Sequence, residues 1–317
     1  MKILSSNEIL RAAVLLRRGE LVAFPTETVY GLGAPLFHRE AIEKIFIAKG
    51  RPRDNPLIVH LADMTQAEAI AEEIPDTFFK LAKVFWPGPL TLIVKRGSVV
   101  PLIVSAGLES IALRLPAHPI ARSLIEAVGE PLVAPSANLS GKPSSTTAQH
   151  VIDDFNGKIA AVLDGGPCSL GIESTVLDLR EEPILLRPGS ITREQIEAVL
   201  GSALSQHSSG PCPSPGMRYR HYAPKAKVLL FSHLEELLHH KQLHPQTKRL
   251  VLSNQTGDLP LSAQTLYQNL RLADARECAE ILVLCDSLDA ALMGRLTRAA
   301  MSPCRSTERE HASLSHS

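Results

Sequence analysis

The sequence predicts an α/β protein in which a twisted mixed open sheet carries flanking helices, followed by a small C-terminal α/β Rossmann-like domain. The chain has 317 residues, more than one ordinary core accommodates, so two domains are expected. Hydrophobic residues make up 44% of the chain, which suits a globular protein and excludes a disordered one. Strand-like apolar runs also alternate with amphipathic helical patterns over the first two hundred residues or so.

The first domain is predicted to span residues 1–200. Short turns separate its strands too often for a simple doubly wound sheet, which favours a mixed one. Between strands, Arg39–Lys49 is predicted to be a helix with one apolar stripe of Ile42, Ile45 and Phe46. The predicted strands are "LVAF", "PLIVHL", "LTLIVK", "IALRLP", "PLVAP", "AAVLD", "STVLDL" and "PILLRP".

The amino-acid composition changes after residue 200. Residues 201–226 are rich in Ser, Gly and Pro and lack apolar periodicity, which is typical of an extended linker. The linker nevertheless ends in "MRYRHYAP", Met217–Pro224, whose arginines, histidine and tyrosines predict that it docks on something. Residues 227–317 are predicted to form the small α/β domain, with strands at "KVLLF" and "RLVLS". The stretch that begins at Arg276 as "RECAEILVLC" combines a short apolar run with a helix.

The net charge and the spacing of the cysteines limit the partners, metals and cellular compartment that are expected. The formal net charge is zero, so the whole chain does not indicate a polyanion partner, although a local basic pocket is compatible with it. The five cysteines form no CxxC pair and have no zinc-ligand spacing, which predicts a reducing compartment and no metal bound by the protein itself. No apolar run approaches a membrane span, so we expect a cytoplasmic protein without membrane contact.

A cationic cluster ends the predicted helix at residue 49. In "AKGRPRDNPLIVH", Lys49, Arg51 and Arg53 lie within five residues. Such cations repel one another unless an anion lies among them, and fixed Arg/Lys clusters are a common phosphate site. The alternative is a solvated turn that favours the helix C-terminus electrostatically. His60 follows in the next strand, on the face opposite Leu57, Val59 and Leu61, where it either lines a cavity or lies at a sheet edge.

Hydroxyls and an amide follow a second buried strand. "PLVAPSANLSGKPSSTTAQH" contains Ser136, Asn138 and Ser144, which could meet phosphate or ribose oxygens. The P-loop pattern and GxGxxG are both absent, so this is neither of those nucleotide loops. A plain loop in which Thr146 or Thr147 caps the following helix explains part of the pattern.

Four more polar residues lie in or beside strands. Thr26 follows the first strand in "PTETVYGLG", where Gly31 and Gly33 are expected to allow unusual backbone angles. Arg114 and Arg187 lie within strands, where each needs either an internal ion pair or a ligand, and Ser174 begins a strand. A GxSxG hydrolase motif is absent. Together these residues predict a site that positions a phosphoryl compound and a small polar substrate.

Eight motifs in order carry a specific resemblance. The chain resembles the threonylcarbamoyl-AMP synthases, the YrdC-like family, in their long two-domain form. The C-terminal segment departs from the family because only Gly294 stands where a glycine-rich loop is usual. The motifs are "PTETVYGLG", "KGRPRDNPL", "WPGPLTLI", "LRLP", "APSANLSG", "ESTVLDL", "LRPGSI" and "SPGMRYRHYAP".

The resemblance implies a nucleotidyltransferase that makes threonylcarbamoyl-AMP and pyrophosphate from L-threonine, bicarbonate and ATP. Mg²⁺ is expected to accompany the ATP. The product would pass to the machinery that transfers the threonylcarbamoyl group to tRNA. The alternative function is a module that binds RNA weakly in the cationic pocket without catalysis.

The resemblance also implies a role for each site residue. The linker would close over the nucleotide through Tyr222. The implied catalytic residues are Lys49, Arg51, Ser136 and Asn138. The implied ATP-binding residues are Lys49, Arg51, Arg53, Ser136, Asn138, Ser144, Arg187 and Tyr222. The implied threonine-binding residues are Thr26, His60, Arg114 and Ser174.

Overall fold

Two sheets organise the protein. The computed structural model describes residues 1–205, 221–255, 257–285 and 289–301. The strands are β1 (Lys2–Leu4), β2 (Val22–Phe24), β3 (Gly31–Pro35), β4 (Ile58–His60), β5 (Ala71–Glu72), β6 (Leu90–Arg96), β7 (Ser110–Arg114), β8 (Leu132–Val133), β9 (Ala161–Leu163), β10 (Thr175–Asp178), β11 (Ile184–Arg187), β12 (Lys227–Phe231), β13 (Arg249–Leu252) and β14 (Glu280–Leu284).

The helices pack on both sheets, and a short 3₁₀ turn at Ser6–Glu8 precedes the first of them. The helix predicted at Arg39–Lys49 has those bounds and ends at Gly50, whose φ of 61° needs the freedom of glycine. The α-helices are α1 (Ile9–Arg17), α2 (Arg39–Lys49), α3 (Thr65–Ile70), α4 (Asp76–Phe85), α5 (Leu102–Ser105), α6 (Pro119–Val128), α7 (Ala148–Phe155), α8 (Arg193–Leu200), α9 (Leu234–Leu243), α10 (Ala263–Ala275) and α11 (Ala290–Ala300).

The first eleven strands form one mixed sheet. Its order is β1-β9-β2-β3-β8-β4-β7-β6-β10-β11, and β5 pairs with β6. Parallel pairs such as β4 with β7 stand beside antiparallel pairs such as β6 with β7. The eight predicted strands of this region are all present, and the predicted mixed sheet is confirmed.

Two glycines in β3 have a different role from the one that the sequence predicted. Gly31 and Gly33 pair with β2 in an extended strand, and neither has a positive φ. A Cβ on Gly33 would lie 2.9 Å from the Phe24 ring, and one on Gly31 would lie 3.2 Å from it. The glycines therefore make room for a buried aromatic ring, which is another reason for glycine in a strand.

Apolar side chains bury both faces of the large sheet. One face packs on α1 and α6, with Leu16 and Leu124 fully buried between helix and sheet. The other face packs on α2, α4 and α7, where Ile42, Phe78 and Phe155 are fully buried. Because helices cover both faces, polar residues can be buried at the ends of the central strands, where the site lies.

The C-terminal unit, defined here as β12–β14 with α9–α11, has its own parallel sheet in the order β12-β14-β13. The predicted boundaries at residues 200 and 226 stay predictions. Met217–Arg220 of the linker motif lies outside the described residues, as do Cys212 and Cys304. No helix in the described part of the chain is long and apolar enough to cross a membrane.

Candidate functional site

One cavity lies at the ends of the central strands, and His221 and Tyr222 of the predicted linker also line it. It encloses about 600 Å³, its open mouth included. Eight of the twelve residues predicted for the site line it directly. These eight are Thr26, Arg51, His60, Arg114, Ser136, Ser174, Arg187 and Tyr222.

His60 and Arg114 are neighbours across two parallel strands. They occupy partner positions of β4 and β7, so their side chains share one face of the sheet. Burial and, to a smaller extent, the Arg114 charge lower the pKa of His60 to about 3. The imidazole is therefore neutral, and its buried Nδ1 has no hydrogen-bond partner among the described residues. His60 itself lines the cavity.

Glu27 is the partner that a buried arginine requires. Arg114 Nη2 lies 2.7 Å from Glu27 Oε1, and both side chains are buried. Burial acts to raise the pKa of the Glu27 carboxyl, but the Arg114 charge, together with hydrogen bonds from Arg114 and from the backbone, holds the pKa below its ordinary value. The sequence predicts that Arg114 needs either an ion pair or a ligand. Arg114 has the ion pair, and it also lines the cavity.

Lys49 holds the loop that follows β8. Its Nζ donates to the carbonyl oxygen of Ser136 at 2.6 Å and also to that of Asn138. The Ser136 hydroxyl donates in turn to Asn138 Oδ1 at 2.6 Å. Burial lowers the pKa of Lys49 well below its ordinary value, and the Arg51 charge adds to this. An anion in the cavity would therefore stabilise the charged form of Lys49.

The two arginines after α2 have different surroundings. Arg51 is buried and donates to the carbonyl oxygens of Asn55 and Pro56, the latter at 2.9 Å, and burial lowers its pKa to about 10. Arg53 is exposed and does not line the cavity. The cationic cluster predicted from sequence is thus split between the cavity wall and the surface.

Ser174 and Arg187 bond directly to each other. Arg187 donates through Nε to the Ser174 carbonyl oxygen at 3.0 Å and through Nη2 to its hydroxyl at 3.1 Å. The Ser174 hydroxyl also lies 2.7 Å from the hydroxyl of Thr91 in β6. These contacts orient the serine toward the cavity at the start of β10.

Thr26 shapes the turn after β2. Its hydroxyl donates to the Val29 carbonyl oxygen at 2.6 Å and accepts from the backbone N–H groups of Thr28 and Val29. Thr26 lines the cavity, yet its side chain is largely engaged in this turn. Contact with threonine through this residue stays a prediction.

Ser144 lies behind the cavity wall. Its hydroxyl donates to Glu173 Oε1 at 2.5 Å, and both residues are buried. Glu173 lines the cavity and receives further donors from Tyr267 and Arg295 of the C-terminal unit. Sequence reasoning missed Glu27 and Glu173, although both stand inside quoted motifs, next to Thr26 and Ser174. Arg295 has no local sequence signal.

Tyr222 joins the cavity to the C-terminal unit. Its ring lies 5.4 Å from that of Tyr267 and is buried, while His221 beside it also lines the cavity. The backbone of Tyr222 has a φ of 64°, a costly value for a residue with a side chain. The described end of the linker motif therefore reaches the site.

The cavity as a whole is suited to an anionic ligand. Arg51, Arg114 and Arg187 line it, and Lys49 lies directly behind it. Glu27 and Glu173, two carboxylates near these cations, are each paired with an arginine. Guanidinium groups in fixed positions bind phosphates and carboxylates through paired N–H donors.

Comparison with family models identifies the relatives of this chain. Residues 14–189 match the Sua5/YciO/YrdC model, "Telomere recombination". The chain belongs to this family. Residues 191–301 match the model "Threonylcarbamoyl-AMP synthase, C-terminal domain", so the Sua5/YciO/YrdC segment is followed by the second segment of a two-domain family member. The resemblance inferred from the motifs is confirmed.

Individual relatives agree with the family assignment. The threonylcarbamoyl-AMP synthase of Pyrococcus abyssi is 53% identical over 225 residues, 69% of this chain and 66% of the relative. That of Bacillus subtilis is 52% identical over 247 residues, 75% of this chain and 71% of the relative. This chain thus spans about two thirds of the length of these relatives.

A solved structure agrees over nearly the whole fold. The crystal structure of P. abyssi Sua5 complexed with L-threonine superposes with a TM-score of 0.88 at 42% identity. The match covers 95% of this chain and 98% of that one. The predicted fold class, a mixed sheet with flanking helices and a second α/β unit, is that of Sua5.

Proposed function

We propose that this protein is an L-threonylcarbamoyladenylate synthase, which joins L-threonine, bicarbonate and ATP into threonylcarbamoyl-AMP and releases pyrophosphate. The observation that carries the proposal is one cavity in which three buried arginines meet an unpartnered neutral histidine and serine hydroxyls. Its cations suit phosphates and a carboxylate, and its neutral groups suit the polar atoms of an amino acid.

The ATP phosphates are proposed to lie against Lys49 and Arg51. Lys49 uses two of its three donors on carbonyl oxygens of the loop after β8, which leaves one donor for a phosphate oxygen. Arg51 is fixed by two carbonyl oxygens at the cavity wall. Ser136, Asn138, Ser144 and Arg187 complete the proposed nucleotide side, with Tyr222 closing it and Arg53 at its outer edge.

The threonine is proposed to lie on the side of the cavity formed by β4 and β7. Arg114 would bind its carboxylate while keeping its ion pair with Glu27. The unpartnered Nδ1 of His60 would bind a polar atom of the amino acid, and Ser174 and Thr26 line the remaining wall.

The reaction follows from placing the two substrates end to end. The amine of threonine condenses with bicarbonate to give a carbamate, with loss of water. A carbamate oxygen then attacks the α-phosphorus of ATP, and the bond to the bridging oxygen of pyrophosphate breaks. Lys49 and Arg51 neutralise the charge that develops on the leaving pyrophosphate, since fixed cations stabilise such a transition state without reorganisation.

Magnesium is proposed to enter as the counterion of ATP. Among the described residues, no group of three His, Cys, Asp or Glu side chains could hold a metal ion. The carboxylates nearest the cavity, Glu27 and Glu173, are engaged with arginines. The metal would therefore be part of the substrate, Mg–ATP, whose phosphates supply its ligands.

The fate of the product and the cellular compartment of the reaction are also proposed. The product would pass to the machinery that transfers the threonylcarbamoyl group to tRNA, and the cysteine usage favours the reducing cytoplasm as the place of action.

The decisive experiment measures pyrophosphate release from ATP, with threonine and bicarbonate each omitted in turn. We expect release that requires both substrates and falls by at least about a hundredfold in Lys49→Ala. Lys44→Ala is the matched control, because Lys44 is a surface lysine of the same helix that contacts the Gly19 carbonyl oxygen. ATP binding without threonine-dependent release would overturn the proposal and favour a binding module, which RNA titration would then test.

A further inference from the structure

Arg295 of the C-terminal unit is buried against the N-terminal sheet. Only 2% of its surface is exposed, and its Nε lies 3.2 Å from Glu173 Oε2. Its Nη2 donates to the Glu173 carbonyl oxygen at 3.0 Å, and its Nη1 donates to the carbonyl oxygen of Pro188. One guanidinium thus binds two separate segments of the N-terminal sheet region.

Those two segments carry substrate-site residues. Glu173 immediately precedes Ser174, and Pro188 immediately follows Arg187. The guanidinium therefore holds the backbone directly beside both residues, at the start of β10 and the end of β11.

Glu173 extends the connection to a third segment. Its Oε1 accepts from the Ser144 hydroxyl at 2.5 Å, and its Oε2 accepts from the Tyr267 hydroxyl at 2.7 Å. A buried carboxylate with several donors has little freedom to rotate. The segments that carry Ser144 and Ser174 are thus tied to one carboxylate, and the segment that carries Arg187 joins them through Arg295. Two donors to that carboxylate come from the C-terminal unit.

We propose that Arg295 is a positioning residue of the substrate site, acting through Glu173 and the Pro188 carbonyl. The C-terminal unit is then a structural part of the site. The inference rests on the proposed function for its substrates, ATP and threonine. Its physical basis is that displacing a binding group by about 1 Å can reduce turnover by about a hundredfold.

The main test compares Arg295→Met with Arg249→Met in the full chain. Arg249 is a second arginine of the C-terminal unit with a largely buried side chain, and among the described residues its hydrogen bonds and ion pair stay within that unit. We expect Arg295→Met to weaken binding of ATP in calorimetric titration by about tenfold or more. Arg249→Met should lower the melting temperature and leave the Kd for ATP unchanged.

A milder variant covers the case in which Arg295→Met does not fold. Tyr267→Phe removes one donor to Glu173 and keeps the ring beside Tyr222. It should weaken ATP binding in the same direction by about threefold. An unchanged Kd in a folded Tyr267→Phe protein, with Arg295→Met unfolded, would overturn the inference.

A double-mutant cycle on kcat/KM separates positioning from general stability. If Arg295 acts through Glu173, the effects of Glu173→Gln and Arg295→Met on kcat/KM are far from additive. Additive effects would overturn the inference, as would a Kd for ATP within twofold of the wild-type value in Arg295→Met. Absence of threonine-dependent pyrophosphate release from the wild-type protein would instead overturn the proposed function, independently of the variants' ATP affinities.

Discussion

Arg114 and Glu27 form a buried ion pair of 2.7 Å beside the candidate site. The carboxylate comes from the turn after β2 and the guanidinium from the end of β7. The pair explains how a strand interior tolerates an arginine, since a buried charge needs a partner. It also means that a substrate carboxylate would share the guanidinium with a resident one.

The first prediction concerns this ion pair. Glu27→Gln removes the charge that compensates Arg114, so we expect the free energy of unfolding to fall by about 3 kcal/mol. Threonine binding should weaken as well, because the guanidinium loses the partner that orients it. Urea unfolding and threonine titration measure the two effects. Glu8→Gln is the control, because Glu8 pairs with Arg11 on the surface; equal effects of the two substitutions would contradict the prediction.

The second prediction concerns His60 and pH. The folded-state pKa of about 3 lies below the ordinary value of 6.5, so between these values the unfolded chain binds one more proton. This contribution to stability is therefore fully present above pH 6.5 and is lost as the pH falls toward 3. Wild-type protein should lose about 2 kcal/mol more than His60→Gln between pH 7 and pH 5.

Urea unfolding at the two pH values measures this difference. The exposed residue His239 provides the control, since His239→Gln should show the wild-type dependence on pH. Identical pH dependence in wild type and His60→Gln would show that folding does not lower the pKa of His60.

The third prediction separates the two arginines that follow α2. Arg51 lines the cavity and is fixed by carbonyl oxygens, whereas Arg53 is exposed. We expect Arg51→Ala to weaken ATP binding by about tenfold or more, and Arg53→Ala by less than about threefold. Calorimetric titration of each variant with ATP measures the two losses of affinity. A larger effect at Arg53 would mean that the triphosphate extends to the surface of this turn.

The fourth prediction compares alanine substitutions at two glycines, Gly189 and Gly294. A Cβ on Gly189 would lie 2.4 Å from the backbone nitrogen of Thr175, the residue after Ser174. Gly189→Ala should therefore lower stability by about 1–3 kcal/mol and weaken substrate binding, because β10 must move. In contrast, a Cβ on Gly294 in α11 would lie 3.9 Å from its nearest neighbouring atom, which belongs to Pro188.

Gly294→Ala serves as the control for that substitution. Alanine is the better helix former, so it should raise the free energy of unfolding by about 0.5–1 kcal/mol with unchanged substrate binding. Thermal unfolding of both variants, with ATP titration, provides the measurements. Comparable destabilisation at the two positions would contradict the packing described here.

Much of the architecture could be predicted because it depends on local pattern. The period of apolar residues predicted the strands of the large sheet, and the stripe of Ile42, Ile45 and Phe46 predicted α2 with its observed bounds. The strands β1, β3 and β5 were not predicted. Of these, β3 was missed because Gly31 and Gly33 indicate a turn unless the Phe24 ring opposite them is known.

The site was predicted less completely than the fold. Residue type and position marked Lys49, Arg51 and His60 as candidates, because cations after a helix and a polar residue in an apolar strand are unusual. The sequence could not assign Glu27 to Arg114, since a buried charge shows that a partner is needed without naming it. Nor could it separate Arg51 from Arg53, which differ in burial and not in chemistry.

The sequence by itself determined the fold class, eight strands of the large sheet, helix α2 and the family, because periodicity and motifs are properties of neighbouring residues. Only the tertiary structure decided which charges meet. Arg295 and Glu173 are 122 positions apart, and their contact exists because α11 packs against the start of β10. Burial then gives that contact its strength, since a charge removed from water must find its counterion within the fold.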